Sequence, residues 1–214
     1  MKLYLTSAHL GKDPTRLLEL LGANPRVGLI SNALDEIADE STVRFWEESA
    51  QRGLAGLGLP CERLDLRDYF AGGDIESALR QFGLVWALGG NAFVLRRAMY
   101  QSGFDQIIRP ILAREELVYV GTSAGSVVAG PTLRGFELVD EPDVVVPRYS
   151  GEVIWDGLGL IDFTIVPHYA SDNPEIASAI SRVTIAIEDN HQPYQALTDT
   201  QVIVVRGTTI TVSE

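Results

Sequence analysis

Short apolar segments alternate with amphipathic helical patterns through the first part of the chain, and this alternation limits the available folds more than any other feature. Strand-like segments, each closed by polar residues or Gly, lie at Lys2–Ser7, Arg26–Ser31, Cys61–Leu66, Leu84–Leu88 and Leu117–Gly121. Helical patterns begin at Asp13-Pro14 and cover Asp39–Leu57, Asp74–Phe82 and Asn91–Gln101. Repeated strand–helix–strand units predict an α/β fold: a doubly wound, mostly parallel sheet with helices on both faces.

The alternation stops after Gly130. The segment Pro131–Asp162 contains three prolines and scattered strand-like pieces, which predict an irregular or antiparallel excursion. Phe163–Val166 then predicts a further buried strand, and Asn173–Asp189 predicts a helix. Short strands are expected to close the chain at Tyr194–Leu197, Gln201–Arg206 and Thr208–Val212, and the sheet is expected to carry small antiparallel additions. No internal repeat or linker divides the chain, so residues 1–214 are predicted to form one domain.

Composition excludes several classes of function. The chain has 17 Lys and Arg against 29 Asp and Glu, a net charge of −12, so neither nucleic acid nor an anionic membrane is an expected partner. No apolar stretch is long enough to span a bilayer, and the opening residues MKLYLTSAHLGK do not resemble a signal peptide. Cys61 is the single cysteine, so an internal disulfide or a cysteine metal cluster is excluded. The expected protein is globular, soluble and cytoplasmic.

The most specific local motif is Gly121-Thr122-Ser123-Ala124-Gly125, a G-x-S-x-G run. It follows a buried strand and precedes a segment of small residues, which is where a nucleophile elbow requires it. Small neighbours are needed because the serine backbone in such a turn is strained. The turn lifts the Ser123 hydroxyl off the carboxyl end of the sheet and aims neighbouring amides at a developing oxyanion. Ser123 is therefore a candidate nucleophile.

A second glycine motif, Ala87-Leu88-Gly89-Gly90-Asn91, also ends a strand and leads into a helix. Two glycines let the backbone approach a ligand closely, and the Gly90 amide could supply the other donor of an oxyanion hole. This motif is weak by itself. Next to the serine turn, it predicts a second wall of one crevice at the carboxyl edge of the sheet.

A serine nucleophile needs a base, and the chain has three histidines. His168 ends the segment FTIVPH at the edge where Ser123 should emerge, so it is the leading candidate. His9 follows the first strand and stays open, whereas His191 lies in a polar connection. The residues alone leave open which acid orients the histidine; the candidates are Asp140, Glu141, Asp143, Asp172 and Asp199.

Together these motifs resemble the dipeptidase E (aspartyl dipeptidase) and cyanophycinase group of serine peptidases. The resemblance rests on ALGGN followed by FVLRRAM, on VGTSAGSVVAGPT, on VPHY after a long excursion, and on the tail ALTDTQVIVVRG. Order and spacing agree across nearly the whole chain. The resemblance implies a three-layer fold like the class I glutamine amidotransferase domain, a small peptide as substrate, and no cofactor or metal.

The resemblance also implies a role for each site residue. It implies Ser123 as nucleophile, His168 as base, and the amides of Gly90 and Ala124 as the oxyanion hole. The family's acid before the closing strands falls on Asp199, where a Glu is common in the family. A rival assignment, shortly after the nucleophile, falls near Asp140; Asp199 is preferred.

Substrate specificity is where this chain departs from the family. Aspartyl-specific members carry an Arg-rich helix start after the histidine, and here Asp172 and Glu175 occupy that stretch. A strict preference for aspartyl substrates is therefore not expected unless Arg182 or Arg148 reaches the crevice. Asn91 and Arg182 are the candidate substrate-binding residues.

Other interpretations stay open. An amidotransferase uses a cysteine at the elbow, whereas this elbow holds Ser123, so that alternative would be a glutamine amidotransferase-like protein of other or lost activity. An α/β-hydrolase orders its triad as serine, acid, histidine, and no histidine follows His191. A binding module that lost turnover is not excluded. Two copies could pair through an edge strand or a helix face, so a homodimer is an open expectation.

Overall fold

A computed structural model describes residues 1–214 and contains nine strands. They are β1 (Lys2–Thr6), β2 (Val27–Ile30), β3 (Cys61–Arg63), β4 (Leu84–Ala87), β5 (Val118–Thr122), β6 (Thr164–Val166), β7 (Tyr194–Ala196), β8 (Val202–Arg206) and β9 (Thr209–Ser213). Seven of them form one sheet in the order β3-β2-β4-β5-β1-β8-β9. The first five are parallel, and β8 and β9 extend the sheet in antiparallel fashion. This sheet confirms the predicted α/β fold class.

Eight helices connect or flank the strands. They are α1 (Thr15–Leu18), α2 (Glu40–Gly56), α3 (Ile75–Leu79), α4 (Ala92–Gln101), α5 (Phe104–Ala113), α6 (Ala124–Val127), α7 (Val145–Arg148) and α8 (Pro174–Asp189). Side-chain oxygens of Asp39, Asn91 and Asn173 accept backbone N–H groups at the starts of α2, α4 and α8. No helix is both long and apolar enough to cross a membrane.

The core lies on both faces of the sheet because neighbouring residues of a strand point to opposite sides. Leu3 and Leu5 of β1 belong to a cluster of 43 buried residues, which also takes in the apolar faces of α4 and α5. Tyr4, between them, belongs to a second cluster of 16 buried residues that includes Leu17 and Leu54 of α1 and α2. Both faces are thus covered by helices, and the carboxyl edge of the parallel strands is left for a site.

Two regions differ from the sequence-based expectations, and the excursion after Gly130 takes the irregular one of its two expected forms. Strand β6 does not join the main sheet; it pairs in parallel with β7 in a separate two-stranded sheet. The excursion after Gly130 contains no antiparallel strands beyond an isolated bridge between Thr132 and Asp156, and it folds into short 3-10 turns and α7. Pro142 starts one of these turns, since proline lacks the N–H that a strand ladder needs. Helix α5 is not among the predicted helices, because Pro110 interrupts its pattern.

Candidate active site

Ser123 occupies a strained turn between β5 and α6. Its backbone angles, φ 50° and ψ −114°, are rarely adopted by a residue with a side chain. The turn is fixed from both sides: the Ser123 N–H donates to the Thr6 carbonyl at 3.1 Å, and the Ser123 carbonyl accepts from Ser126 and Val127 of α6. The hydroxyl therefore projects from the carboxyl end of the central strands, as the elbow motif predicts.

The glycines on either side of Ser123 are sterically required. A Cβ on Gly121 would lie 2.3 Å from the carbonyl oxygen of Gly125, and a Cβ on Gly125 would lie 2.1 Å from that of Ala87. Both distances are too short for any side chain. The close packing of β4, β5 and α6 thus explains why the motif places glycines two residues before and two residues after the serine.

His168 reaches Ser123 from the end of β6. Its Nε2 atom lies 3.0 Å from the Ser123 Oγ atom, within hydrogen-bond distance. The residue has a positive φ of 58°, so the chain turns sharply just after β6. The structure therefore brings the predicted nucleophile and the predicted base together.

Asp199 completes the chain of contacts, with Oδ1 lying 2.8 Å from the His168 Nδ1 atom. The pairing of β6 with β7 sets this distance, because it continues past the strands: Leu197 N–H donates to Val166, and Tyr169 N–H donates to Leu197. Asp199 follows Leu197 by two residues and His168 follows Val166 by two, so the two side chains meet. The expected contact between His168 and a carboxylate is made by the preferred candidate.

Sequence reasoning missed Ser7, which joins this chain of contacts from the end of β1. Its buried hydroxyl donates to Asp199 Oδ1 at 2.7 Å and accepts from the His168 backbone N–H at 2.6 Å. One side chain thus holds both the acid and the backbone of the base. The available signal was a polar residue directly after β1, a strand that lies beside β5 in the sheet.

Gly90 lies opposite Ser123, at the end of β4. Its φ is 135°, and a Cβ there would lie 2.4 Å from the Ala33 carbonyl oxygen, so only glycine fits. The loop is fixed by the Asn91 N–H, which donates to the same carbonyl at 2.9 Å. Ala124 is the first residue of α6, where N–H groups lack an intrahelical acceptor. Gly90 and Ala124 line one cavity together with Ser123, so their amides remain the candidates for an oxyanion hole.

The side chain of Asn91 is used within the protein. Its Oδ1 atom accepts from Phe93 and Val94 N–H, and its Nδ2 atom donates to the Glu36 carboxylate and the Glu141 carbonyl. Asn91 is also buried. The structure thus makes this candidate substrate-binding residue a cap of α4 that fixes the Gly90 loop, and its amide does not line the crevice.

Asp140, the rival acid, lies on the other side of the crevice. Its carboxylate accepts from the Ala92 N–H at 2.8 Å, and it forms no hydrogen bond or ion pair with a histidine. Burial raises the pKa of Asp140 to about 6, and the Glu36 carboxylate adds to this rise against the hydrogen bond from Ala92. The other open candidates, Glu141, Asp143 and Asp172, are exposed and do not contact His168.

Ser123 and His168 separate two cavities of different character. The first, here called the apolar pocket, has a volume of about 590 Å³, and Asp, Glu, Lys and Arg are absent from its lining. Its large apolar side chains are Leu10, Leu34, Ile37, Trp46, Trp86 and Leu88. The second, here called the charged cavity, has a volume of about 480 Å³; it is lined by apolar side chains, including Phe136 and Ile180, and by the charged residues Asp140, Glu175 and Arg182.

The structure places the remaining candidate residues at different distances from Ser123. Arg182 reaches the crevice through the charged cavity, whereas Arg148 lines a different surface depression. His9 is exposed and lines the apolar pocket, but its ring forms no hydrogen bond to Ser123. His191 is exposed in the turn after α8. Burial raises the pKa of the Cys61 thiol to about 11, so this cysteine stays protonated at the edge strand β3.

The sequence of this protein is similar to those of known peptidases. The model of peptidase family S51 matches residues 8–213. Peptidase E of Streptomyces coelicolor is 30% identical over 191 residues, which cover 87% of this chain and 70% of that protein. An uncharacterised peptidase of Listeria monocytogenes is 28% identical over 165 residues, 77% of this chain and 76% of that protein. A probable alpha-aspartyl dipeptidase of Drosophila melanogaster is 35% identical over 105 residues, 49% of this chain and 40% of that protein.

Solved structures agree with these matches. The crystal structure of a candidate peptidase E protein from Listeria monocytogenes superposes with a TM-score of 0.75 at 25% sequence identity. The superposition covers 99% of this chain and 97% of that one. The α/β fold and the sequence matches thus agree over nearly the whole length. The chain belongs to peptidase family S51, and it is a serine-type peptidase.

Proposed function

We propose that the protein hydrolyses small peptides through a triad of Ser123, His168 and Asp199. The observation that carries this proposal is the unbroken line of contacts from Ser123 Oγ through His168 to Asp199, with distances of 3.0 and 2.8 Å. In the first step, His168 Nε2 takes the hydroxyl proton as Ser123 Oγ attacks the scissile carbonyl. Asp199 accepts a hydrogen bond from Nδ1–H, which holds the ring and stabilises its charged form.

The tetrahedral intermediate places its negative oxygen between the amides of Gly90 and Ala124. The C–N bond then breaks, and the leaving amine takes the proton from His168 Nε2. A water molecule enters, His168 removes its proton, and the hydroxide attacks the acyl carbon. When the Ser123–acyl bond breaks, the same proton returns to the Ser123 oxygen, which restores the enzyme and releases the acid.

The charged cavity suits the N-terminal residue of a small peptide. Its carboxylates, Asp140 and Glu175, can pair with the free α-amino group, and Arg182 can pair with an acidic side chain. Because Glu175 shares the cavity with Arg182, an aspartyl side chain meets attraction and repulsion together. We therefore propose that aspartyl dipeptides are accepted and that the preference for them is moderate.

The test combines a covalent label with a substrate panel. A fluorophosphonate probe should label the wild-type protein and fail to label Ser123→Ala, with Ser178→Ala on the exposed face of α8 as the control. Dipeptides with Asp, Ala, Leu and Lys at the first position should be hydrolysed by the wild type. Their turnover should fall by at least about 10³-fold in Ser123→Ala, because losing a nucleophile removes the covalent route.

Two outcomes would contradict this proposal. Retention of about 10% or more of wild-type turnover in Ser123→Ala would exclude Ser123 as the nucleophile. A preference of about 100-fold or more for Asp, equal to about 2.7 kcal/mol, would show a strict aspartyl dipeptidase and reject the moderate preference. In that case Arg182→Gln should abolish the preference.

A further inference from the structure

The apolar pocket has no part in the chemistry described so far, although it opens directly onto the nucleophile. Ser123, His168 and Gly90 all contribute to its wall. A volume of about 590 Å³ is in the range of pockets that enclose a complete small ligand. The pocket is therefore large enough for a bulky side chain of a substrate whose scissile bond lies at Ser123.

The pocket's lining selects for apolar groups. Its ionisable side chains are two histidines, His9 and His168. The polar atom of Trp86 is already occupied, since Nε1 donates to the Thr122 hydroxyl at 2.9 Å, so the indole ring offers its apolar surface. Trp46 remains 45% exposed on α2, a large aromatic surface that a bound group could cover. An unpaired charge placed here would lose its hydration without gaining a partner.

The contrast with the charged cavity fixes which part of a peptide goes where. The N-terminal residue carries a positive α-amino group, and the carboxylates able to pair with it, Asp140 and Glu175, line the charged cavity. The apolar pocket offers no carboxylate. With the scissile carbonyl at Ser123, the residue after the scissile bond must extend toward the apolar pocket. Its carboxylate would stay at the open rim near the exposed His9.

We infer that the apolar pocket is the binding site for the side chain of the leaving residue, and that it selects bulky apolar residues at that position. This inference rests on the proposed peptidase activity. It adds a second determinant of specificity, on the opposite side of the scissile bond from Arg182. Preferred substrates thus combine an N-terminal residue that the charged cavity accepts with a large apolar second residue.

The first experiment varies the leaving residue. Dipeptides that share the best N-terminal residue and carry Gly, Ala, Leu, Phe or Asp second are compared by kcat/KM. Each buried methylene should raise kcat/KM by up to about fourfold, so Leu and Phe should exceed Ala by at least about tenfold. Asp should be the poorest substrate. A profile flat to within about threefold would overturn the inference.

The second experiment fills the pocket. Gly53 of α2 lines it, and a Cβ there would meet no atom within 4 Å, so Gly53→Leu starts a side chain at the pocket wall from an unobstructed Cβ. Gly56→Leu is the matched control, because Gly56 lies on the same helix with equally free space but outside the pocket. Gly53→Leu should lower kcat/KM for the dipeptide with Phe as second residue by about tenfold. It should leave kcat/KM for the dipeptide with Gly as second residue unchanged. Equal losses for both substrates would overturn the inference.

Labelling of Ser123 distinguishes a failure of the proposed peptidase activity from a failure of the inference about the apolar pocket. A labelled, active protein whose preference depends on the N-terminal residue but not on the leaving residue contradicts the pocket inference alone. A protein that is neither labelled nor active on any dipeptide contradicts the proposed function and the inference together. Trp46→Ala offers a second variant of the pocket, and it should reduce the advantage of Phe over Gly by at least about threefold.

Discussion

Two acidic side chains flank the crevice, and the protein holds them in opposite ways. Asp199 lies in an exposed turn, with 44% of its side chain accessible, yet its Oδ1 atom contacts both Ser7 and His168. Asp140 is half-buried against the start of α4, where desolvation raises its pKa to about 6, and it contacts no histidine. The carboxylate with the strongly raised pKa is thus not the one that reaches the base.

The difference teaches that a raised pKa reports where a carboxylate is buried, whereas an orienting role depends on which atoms it touches. Asp199 supports the base through the ring of His168. Asp140 supports the opposite wall, because its carboxylate holds the Ala92 N–H two residues after Gly90. Each side of the crevice thus has its own carboxylate, and we expect substitutions of Asp199 and Asp140 to have different effects on activity.

The largest contrast is expected in turnover. Asp199→Asn should lower kcat by about 10³-fold or more, because an amide neither stabilises the imidazolium nor holds the correct tautomer. Asp140→Asn should keep kcat within about threefold, since the new carbonyl oxygen can still accept from Ala92, whereas the loss of its charge beside the α-amino group of the substrate should raise KM. Steady-state kinetics on one dipeptide measure both. The opposite ranking would assign the orienting role to Asp140 and reject Asp199.

A smaller loss is expected from the wall that Asp140 supports. Gly90→Ala would place a Cβ 2.4 Å from the Ala33 carbonyl, so the Gly90 amide must shift, and kcat should fall by about 10²-fold, as for loss of one oxyanion donor. Gly103→Ala is the control, because Gly103 also has a positive φ, 75°, but no atom lies within 4 Å of its Cβ position. Similar activity losses in both variants would mean that general backbone strain, not the oxyanion amide, is responsible.

The last contrast concerns the stability of the fold and leaves turnover aside. In the folded protein Asp140 keeps its proton up to a pKa of about 6, whereas in the unfolded chain it loses it near pH 4, so the folded state binds more protons between these values. The Asp140 contribution therefore falls as pH rises through this window, by up to about 3 kcal/mol. Asp140→Asn should gain stability relative to wild type as pH rises from about 4 to 7, measured by urea unfolding. If the free energy of unfolding of Asp140→Asn relative to wild type does not change with pH, the raised pKa of Asp140 is contradicted. Asp143→Asn is the control, because it removes one carboxylate charge from an exposed position.

The elements that the sequence predicted well are those whose pattern is local. Strands β1, β2, β4 and β5 are short apolar runs closed by polar residues, and their caps and helices follow the same local logic. What the pattern does not contain is the partner of each strand. The segment Phe163–Val166 was predicted as a buried strand, and that is correct for β6, but its pairing with β7 outside the main sheet depends on residues far along the chain.

The site residues differ in the same way: some are predictable from the local sequence pattern, and others depend on contacts between distant parts of the chain. Ser123, Gly90 and His168 were predicted because each follows a strand-like apolar run: Ser123 and Gly90 follow β5 and β4 of the main sheet, and His168 follows β6 of the small sheet. Asp199 could not be separated from four other acids by spacing alone, since its approach to His168 depends on the β6–β7 pairing. Ser7 gave no signal at all, because a single serine after a strand is common and its partner Asp199 lies 192 positions away.

That separation has a consequence for how the enzyme is made. The hydrogen bond between Ser7 and Asp199 joins the first strand to a turn between β7 and β8, so the contact forms only after almost every other element exists. A chain whose synthesis has not passed Asp199 already carries Ser123 and His168 but lacks the carboxylate that contacts His168. We therefore expect hydrolytic activity to begin only after Asp199 has been synthesised and has reached Ser7 and His168.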